Sequence, residues 1–199
     1  MFSSYIANKL LKLWGWKFPE NPPQNGPYIF AGYPHTALLD TVPCVLLGIN
    51  WQISFFIPVK ESFDKPVIKD VMKFFHCLPI TRNKKGLELM VNSLHKSKGN
   101  MAIAIEGTRS KTNGVKPGFH NIAKQLNLKI VPGIIDWKNK ELKIFEPFEP
   151  QENAQKTIEM YEKIIQPYSP VGKYPELESP LILAKSEKNH KNAIDQFPK

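Results

Sequence analysis

Short apolar runs alternate with segments of helical periodicity along most of this 199-residue chain. Apolar runs predict buried strands, and apolar residues spaced three and four apart predict helices with one buried face. The predicted strands cover residues 28–32, 52–59, 78–81, 100–105, 129–136 and 142–145. The predicted helices cover residues 65–76, 84–98, 117–127 and 152–165. This alternation predicts an α/β fold with a mostly parallel central sheet flanked by helices.

The first 18 residues have the pattern of an amphipathic helix. Apolar residues at positions 2, 6, 10, 13 and 14 follow helical spacing, and Lys9, Lys12 and Lys17 interrupt them. Two interpretations are open: the helix lies in a membrane interface, or it packs on the domain's own core. The segment lacks the cleavage pattern of a signal peptide. Since the chain has no uninterrupted apolar run of about 18 residues, we expect no transmembrane span.

The length fits one domain with short extensions at both ends. We place the N-terminal amphipathic helix at residues 1–18, the main domain at 19–166 and a C-terminal extension rich in proline and lysine at 167–199. We expect this extension to be irregular and loosely held. Its one apolar stretch, residues 181–184, could dock on the domain.

The chain is strongly basic, with 27 Lys+Arg against 18 Asp+Glu and a formal net charge of +9. Such a surface attracts polyanions, which include nucleic acid, anionic lipid and phosphorylated small molecules. Only Arg82 and Arg109 are arginines. Two interpretations are open: these positions need the planar guanidinium that lysine lacks, or the two arginines fall there by chance. Cys44 and Cys77 lie in no Cys/His cluster, so the sequence predicts neither a zinc site nor a disulfide scaffold.

A histidine and an aspartate, His35 and Asp40, follow the first predicted strand. A continuous helix would turn their side chains apart, since five residues at about 100° each leave them about 140° out of alignment. Proline is tolerated in a first helical turn, so Pro43 predicts a helix that begins near Asp40 or Thr41, with His35 in the preceding loop. Asp40 can then hold one imidazole nitrogen while the other acts as a general base.

Both arginines also follow predicted strands. Arg109 lies in the segment EGTRS, residues 106–110, and Arg82 comes directly after the strand at 78–81. The glycine of EGTRS permits close approach of a ligand, and the guanidinium offers a fork for phosphate. Because ligands bind beyond the carboxyl ends of parallel strands, we expect His35 and the two arginines to share one edge of the sheet.

Together with one further block, these segments resemble the glycerolipid acyltransferases, the group of lysophosphatidic acid and glycerol-3-phosphate acyltransferases. Four blocks occur in the family's order: His-x-x-x-x-Asp, an arginine block, Glu-Gly-Thr-Arg-Ser and a hydrophobic-proline block. In this chain they occupy residues 35–40, 78–82, 106–110 and 130–134. The resemblance runs from about residue 28 to residue 147. Pro34 and Ala37 stand where the family usually has asparagine and serine, which marks a divergent small member.

The resemblance implies an enzyme that moves a fatty acyl group from acyl-CoA or acyl carrier protein to the hydroxyl of a lysophospholipid. The acceptor it implies first is 1-acyl-glycerol-3-phosphate, which would give phosphatidic acid. His35, held by Asp40, would be the general base, with no covalent intermediate. The residues that would bind substrate are Arg82, Glu106, Gly107, Thr108 and Arg109. No cofactor is implied beyond the acyl donor as co-substrate, and no metal.

The resemblance also implies a peripheral protein that works on an anionic membrane surface, at the cytoplasmic face. Two alternatives stay open: acylation of a different lysolipid or of glycerol phosphate, and a non-catalytic protein that binds anionic lipid on the same fold. Nucleic acid is not an expected partner, because the chain has no recognised nucleic-acid motif and no interleaving of basic and aromatic residues for base stacking.

Several other residue types in the chain could suggest chemistry but have no supporting pattern. Three further histidines, His76, His95 and His120, have no matching partner pattern, and we interpret them as surface or core residues. We interpret Cys44 and Cys77 as small apolar groups rather than nucleophiles. The tryptophans that we interpret as core residues are Trp14, Trp51 and Trp137.

Overall fold

The computed structural model describes residues 3–24, 26–60, 70, 73, 75–81, 89–90, 92–94 and 99–184. Within these residues, six strands form two sheets: β1 (Tyr28–Tyr33), β2 (Ile57–Lys60), β3 (Cys77–Ile80), β4 (Met101–Ala104), β5 (Lys129–Asp136) and β6 (Glu141–Ile144). The central sheet has the order β4-β1-β5-β6. In it β1 pairs in parallel with β4 and β5, and β6 closes one edge as an antiparallel strand. The expected α/β fold with a mostly parallel central sheet is confirmed.

The smaller sheet consists of β2 and β3, which also run parallel. A parallel bridge between Phe56 and Met101 joins it to the central sheet, and the N–H of Ala102 donates to the carbonyl of Phe56 at 2.9 Å. The predicted strand 52–59 starts later than expected, because Trp51 and Gln52 form the turn that ends the preceding helix. There the N–H of Trp51 bonds back to Leu47, which keeps this stretch out of the sheet.

The α-helices whose bounds fall within the described residues cover the central sheet: α1 (Ser4–Leu13), α2 (Thr41–Asn50), α3 (Gly118–Leu126) and α4 (Ala154–Ile165). Helices α3 and α4 contribute to one apolar cluster, and α1 and α2 contribute to another. One cluster joins side chains of α3 and α4 to β1 and β5, as at Phe119, Tyr161 and Ile130. The other joins α1 and α2 to β5 and β6, as at Leu11 and Leu142. Because the central strands are buried on both faces, their sequences are continuous apolar runs.

Two predicted helices, at residues 65–76 and 84–98, lie partly outside the described residues. Of the described positions in these ranges, 70, 73, 89, 90 and 92–94 are helical. Among the helices in the described part of the chain, none combines the length and the apolar character needed to cross a bilayer.

Helix α1 has both a packed face and an exposed apolar face. Ser3 caps its start, and its Oγ accepts the N–H of Ile6 at 3.3 Å. Ala7 and Leu11 are fully buried in the cluster that contains α2. Of the stripe predicted from the sequence, Ile6, Leu10 and Leu13 face outward instead, whereas Trp14 packs against this cluster. Tyr5 on the same helix is exposed as well. The exposed apolar face of α1 therefore consists of Tyr5, Ile6, Leu10 and Leu13. The helix therefore packs on the domain and leaves a second apolar face uncovered by the described residues.

Candidate active site

The strand register brings two of the motif blocks together at one edge of the sheet. Gly32 of β1 lies beside Ala104 of β4, so the loops that follow the two strands start side by side. His35 is three residues beyond Gly32, and Glu106 is two residues beyond Ala104. Their contact follows directly: Glu106 Oε1 accepts the backbone N–H of His35 at 2.7 Å. The loops that carry His35 and Glu106 therefore meet at the carboxyl ends of parallel strands, whereas the expected convergence of His35 with Arg82 and Arg109 stays a prediction.

His35 and Asp40 form a hydrogen-bonded pair, with Nδ1 of the imidazole 3.1 Å from Oδ2 of the carboxylate. Asp40 is the last residue of a single 3₁₀ turn, Leu38–Asp40, that follows the His35 loop. Helix α2 then begins at Thr41, with Pro43 in its first turn. This is the helix start that Pro43 predicts. The turn folds the carboxylate of Asp40 back toward the loop, which a continuous helix would not do.

Asp40 is 1% exposed, and four donors surround its carboxylate. Besides the imidazole, Oδ2 accepts the backbone N–H groups of Thr36 and Ala37 at 2.9 and 2.8 Å. Oδ1 accepts the indole N–H of Trp137 at 2.6 Å. Hydrogen bonds from several donors offset the cost of burying a carboxylate. With Nδ1 donating to Asp40, the lone pair of the imidazole lies on Nε2, and the His35 side chain is 21% exposed.

Glu106 is almost completely buried, with 2% of its surface exposed. Burial raises the pKa of its carboxyl to about 7, although the hydrogen bond from the His35 backbone acts in the opposite direction. Its Oε2 atom is buried and has no hydrogen-bond partner among the described residues. The contact that the structure shows is with the backbone of His35, and the expected role of Glu106 in binding substrate stays a prediction.

The segment after Glu106 forms the exposed part of the site. Gly107 is exposed and has a φ of +64°, a conformation that side chains rarely adopt. Arg109 and Thr108 are half-buried, and Thr108 Oγ1 accepts the N–H of Ser110 at 3.3 Å. Arg82 lies outside the described residues, so its expected place beside Arg109 stays a prediction. The arrangement joins a potential general base to a loop that carries an arginine.

Except for Trp137, the residues that form these contacts lie inside the part of the chain that a known family covers. The family model described as Acyltransferase matches residues 16–136, which is more than half of the chain. The chain belongs to this family. Membership confirms the family expected from the four motif blocks and supports an O-acyltransferase activity. No curated protein matches the chain.

The acyltransferase match ends before a C-terminal segment that contacts the His35 loop. We call residues 170–184 the strap. Within it, the N–H of Tyr174 donates to Thr36 Oγ1 at 3.0 Å, and Thr36 is the residue directly after His35. The hydroxyl of Tyr33, just before the loop, donates to the carbonyl of Ser179 at 2.9 Å. The strap therefore fixes the loop of the candidate base on both sides.

The strap also contacts the segment that leads away from the EGTRS loop. Ser179 Oγ accepts the N–H of Thr112 at 3.0 Å. Val115 forms a pair of backbone hydrogen bonds with Ile182 and Ala184, at 2.8 and 2.9 Å. The expectation of a loosely held extension is wrong for residues 170–184, because these hydrogen bonds tie them to the His35 loop and to the segment after the EGTRS loop. The stretch 181–184 docks here, and residues 185–199 lie outside the described residues.

Trp137, which the sequence analysis interprets as a core residue, contacts the candidate site through Asp40. It follows β5 directly, and β5 pairs with β1 so that Tyr33 lies beside Ile134. The rule that placed His35 at the sheet edge therefore applies equally to Trp137. We missed the residue because an indole more often fills a core than donates to a carboxylate. Its position after the strand was the available signal.

The other reactive side chains that the structure describes are poorly suited to catalysis. Burial raises the pKa of the Cys44 thiol to about 12 and that of Cys77 to about 11, so neither is a thiolate at neutral pH. His120 is buried, its Nδ1 is 2.8 Å from Thr157 Oγ1, and burial lowers its pKa. His76 is exposed at a turn, and His95 lies outside the described residues. His35 is left as the candidate base among the described histidines.

Proposed function

We propose that this protein transfers a fatty acyl group from acyl-CoA or acyl carrier protein to the hydroxyl of a lysophospholipid. The proposed acceptor is 1-acyl-glycerol-3-phosphate, and the product is then phosphatidic acid. The observation that carries the proposal is the His35–Asp40 pair beside the EGTRS loop. A base next to an arginine loop suits an acceptor that has a hydroxyl close to a phosphate. The reaction needs no cofactor beyond the acyl donor.

In the proposed reaction, His35 Nε2 takes the proton of the acceptor hydroxyl. The acceptor oxygen bonds to the thioester carbonyl carbon, and a tetrahedral oxyanion forms. When the oxyanion collapses, the carbon–sulfur bond breaks, and the thiolate takes the proton back from the imidazolium. Asp40 keeps the imidazole oriented and stabilises its charged form. No side chain is acylated, which agrees with the raised thiol pKa values of Cys44 and Cys77.

The proposed acceptor-binding residues are Arg82, Glu106, Gly107, Thr108 and Arg109. The guanidinium of Arg109 would form paired hydrogen bonds with the acceptor phosphate. Because Gly107 has no side chain, its backbone can approach the ligand closely. Holding the acceptor in line with the thioester lowers the barrier through orientation alone.

We further propose that the enzyme works as a peripheral protein on an anionic membrane, at its cytoplasmic face. The exposed apolar face of α1 and the net charge of +9 support this. Described residues of α1 include Lys9 and Lys12 but no acidic side chain. An apolar face flanked by lysines binds an interface that combines acyl chains with phosphate headgroups.

The test is a panel of acceptors offered with acyl-CoA or with acyl carrier protein. The panel contains 1-acyl-glycerol-3-phosphate, other lysophospholipids, glycerol-3-phosphate and monoacylglycerol, and radiolabelled product is measured. We expect activity on 1-acyl-glycerol-3-phosphate and a fall of roughly 10²- to 10⁴-fold in His35→Asn, the usual contribution of a positioned base. His76→Asn is the matched control, because His76 is exposed and already has a left-handed backbone that asparagine tolerates.

The alternatives give different results in the same panel. Activity on another lysolipid or on glycerol phosphate would change the identity of the proposed acceptor and would still support acyl transfer to a hydroxyl. If the wild-type protein turns over no acceptor yet binds anionic vesicles, the protein is a lipid-binding member of the fold and the enzymatic proposal fails. Equal activity of His35→Asn and wild type would exclude His35 as the base.

A further inference from the structure

The indole of Trp137 contacts the one oxygen of Asp40 that the His35 loop does not use. Its Nε1 is 2.6 Å from Asp40 Oδ1, whereas all three donors from the loop go to Oδ2. Among the described residues, Trp137 supplies the only hydrogen bond recorded to Oδ1. The residue lies one position beyond the family match, so the family region alone does not contain this contact.

The backbone of Trp137 is firmly held. It begins the turn between β5 and β6, where Asp136 Oδ1 accepts the N–H groups of Lys138 and Asn139 at 3.0 and 3.2 Å. Its own N–H donates to the carbonyl of Val171 in the strap at 2.8 Å. A donor on such a rigid turn can fix the orientation of a carboxylate better than one on a free loop.

The indole ring is held as well. Trp16 and Trp14 pack against it edge to face, with ring centroids 5.1 and 5.8 Å away. Lys173 Nζ lies 4.7 Å from its centroid on the strap side. Aromatic contacts of this geometry add to the stability gained from burial. The ring therefore has little freedom to move its N–H away from Asp40.

We infer that Trp137 is a positioning residue for the proposed reaction, and that its N–H sets the plane of the Asp40 carboxylate. With Oδ1 held, Oδ2 stays in line with the Nδ1–H of His35, and the imidazole keeps its reactive Nε2 free. Without the indole donor, Oδ1 is buried and unpaired, and the carboxylate can rotate. The inference rests on the proposed function for its kinetic consequence, but the geometry itself can be tested without turnover.

The chain offers a matched control in Trp16. It belongs to the same aromatic cluster and is 3% exposed, but its Nε1 has no hydrogen-bond partner among the described residues. Trp16→Phe and Trp137→Phe remove the same atoms from the same cluster. Only Trp137→Phe removes a donor from Asp40. A merely structural role predicts similar effects of both substitutions.

The kinetic test compares the two variants with wild type on the best acceptor of the panel. We expect Trp137→Phe to lower kcat by roughly 10- to 100-fold with little change in the KM for acyl-CoA, because a hydrogen bond to a buried charge is lost. Trp16→Phe should keep kcat within about twofold. In an Asp40→Asn background, Trp137→Phe should have almost no further effect, since the two residues act through the same imidazole.

The second test uses NMR spectroscopy and needs no activity. In ¹⁵N-labelled wild-type protein, we expect His35 to be in the Nδ1–H tautomer, and Trp137→Phe but not Trp16→Phe should introduce the other tautomer. The chemical shift of the Trp137 indole proton should lie strongly downfield in the wild type, because this proton is hydrogen-bonded to a carboxylate. It should move upfield in Asp40→Asn. This last measurement remains valid even if Trp137→Phe folds poorly.

The outcomes separate the two proposals. If the tautomer and the indole proton respond as expected but no acceptor is turned over, the positioning contact stands and the proposed function fails. If the chemical shift of the Trp137 indole proton is unchanged in Asp40→Asn, the inference about Trp137 is overturned. It is also overturned if the two tryptophan variants have the same kinetics and the same His35 signals.

Discussion

The side chain of Glu106 accepts the backbone N–H of His35 at 2.7 Å, and this hydrogen bond links the EGTRS loop to the His35 loop. The other carboxylate oxygen is buried without a partner among the described residues. Burial raises the pKa of Glu106 from its ordinary value of 4.5 to about 7, and the nearby Asp40 charge acts in the same direction. The His35 backbone and side chain act against it. Glu106 therefore titrates in a range that matters for a protein at neutral pH.

Glu106→Gln should change how stability depends on pH. The folded carboxyl binds its proton more tightly than the unfolded one, so its contribution to the free energy of unfolding is full below pH 4.5 and is lost as pH rises to about 7. Inside this window the slope approaches about 1.4 kcal/mol per pH unit. Glutamine keeps an oxygen for the His35 N–H and has no proton to lose. Denaturant unfolding of both proteins at several pH values should show that the free energy of unfolding of the Glu106→Gln variant increases relative to that of wild type as pH rises. Parallel curves would contradict the raised pKa.

Arg109→Lys should weaken acceptor use although the charge is kept. Lysine provides a point charge instead of a planar fork, so paired hydrogen bonds to a phosphate are lost. We expect kcat/KM for 1-acyl-glycerol-3-phosphate to fall roughly tenfold or more, mainly through the acceptor KM. The internal control is an acceptor without phosphate, such as monoacylglycerol, on which the variant and wild type should differ little. Equal use of the phosphorylated acceptor would remove Arg109 from the proposed phosphate site.

Leu13→Gln should weaken binding to anionic vesicles without destabilising the fold. Leu13 is 83% exposed at the end of α1, so little packing is lost in solution. If the outer face of α1 inserts into the interface, replacing one inserted leucine should weaken binding roughly tenfold. Cosedimentation with vesicles of phosphatidylcholine and phosphatidic acid measures this.

Met160→Gln is the control for the vesicle experiment, because Met160 is an exposed apolar side chain on a different helix, 39% accessible. It should bind vesicles as wild type does. Identical behaviour of the Leu13 and Met160 variants would argue against α1 as the membrane-binding element.

Gly172→Ala should loosen the strap from the His35 loop. A Cβ at this position would lie 2.8 Å from Thr36 Oγ1 and 2.9 Å from its Cγ2, closer than such atoms approach one another. We expect the free energy of unfolding to fall by about 1 to 3 kcal/mol, together with reduced turnover, since Thr36 follows the base directly. Gly118→Ala at the start of α3 is the control, because a Cβ there meets nothing within 4 Å. A stable, fully active Gly172→Ala protein would show that the strap contact is unimportant for the site.

The convergence of His35 and Glu106 could be predicted from sequence, because parallel strands must end at a common edge. The orientation of Glu106 could not. A motif glutamate after a strand can face either a ligand or the interior, and only the packed loops decide that its side chain turns inward to the His35 N–H. The helix start at Thr41 was predictable, since Pro43 restricts where the first turn can be.

The strap and Trp137 were missed for different physical reasons. The strap is held largely by main-chain groups, as at Tyr174 N–H and the Ser179 carbonyl, and main-chain hydrogen bonds have no sequence signature. The extension that contains the strap, residues 167–199, is rich in proline and lysine, which instead indicated a loose tail. Trp137 and Asp40 are 97 positions apart, and their contact depends on the order of strands in the sheet.

Three of the protein's four tryptophans lie in one cluster whose ring centroids are 5.1 to 5.9 Å apart, and the cluster touches both the end of α1 and Asp40. Indoles at such separations exchange excitation energy, so their emission behaves as that of a single chromophore. The protein thus contains its own optical probe, and in a Trp51→Phe background a change in intrinsic fluorescence on adding lipid or acyl donor would report from beside the His35–Asp40 pair.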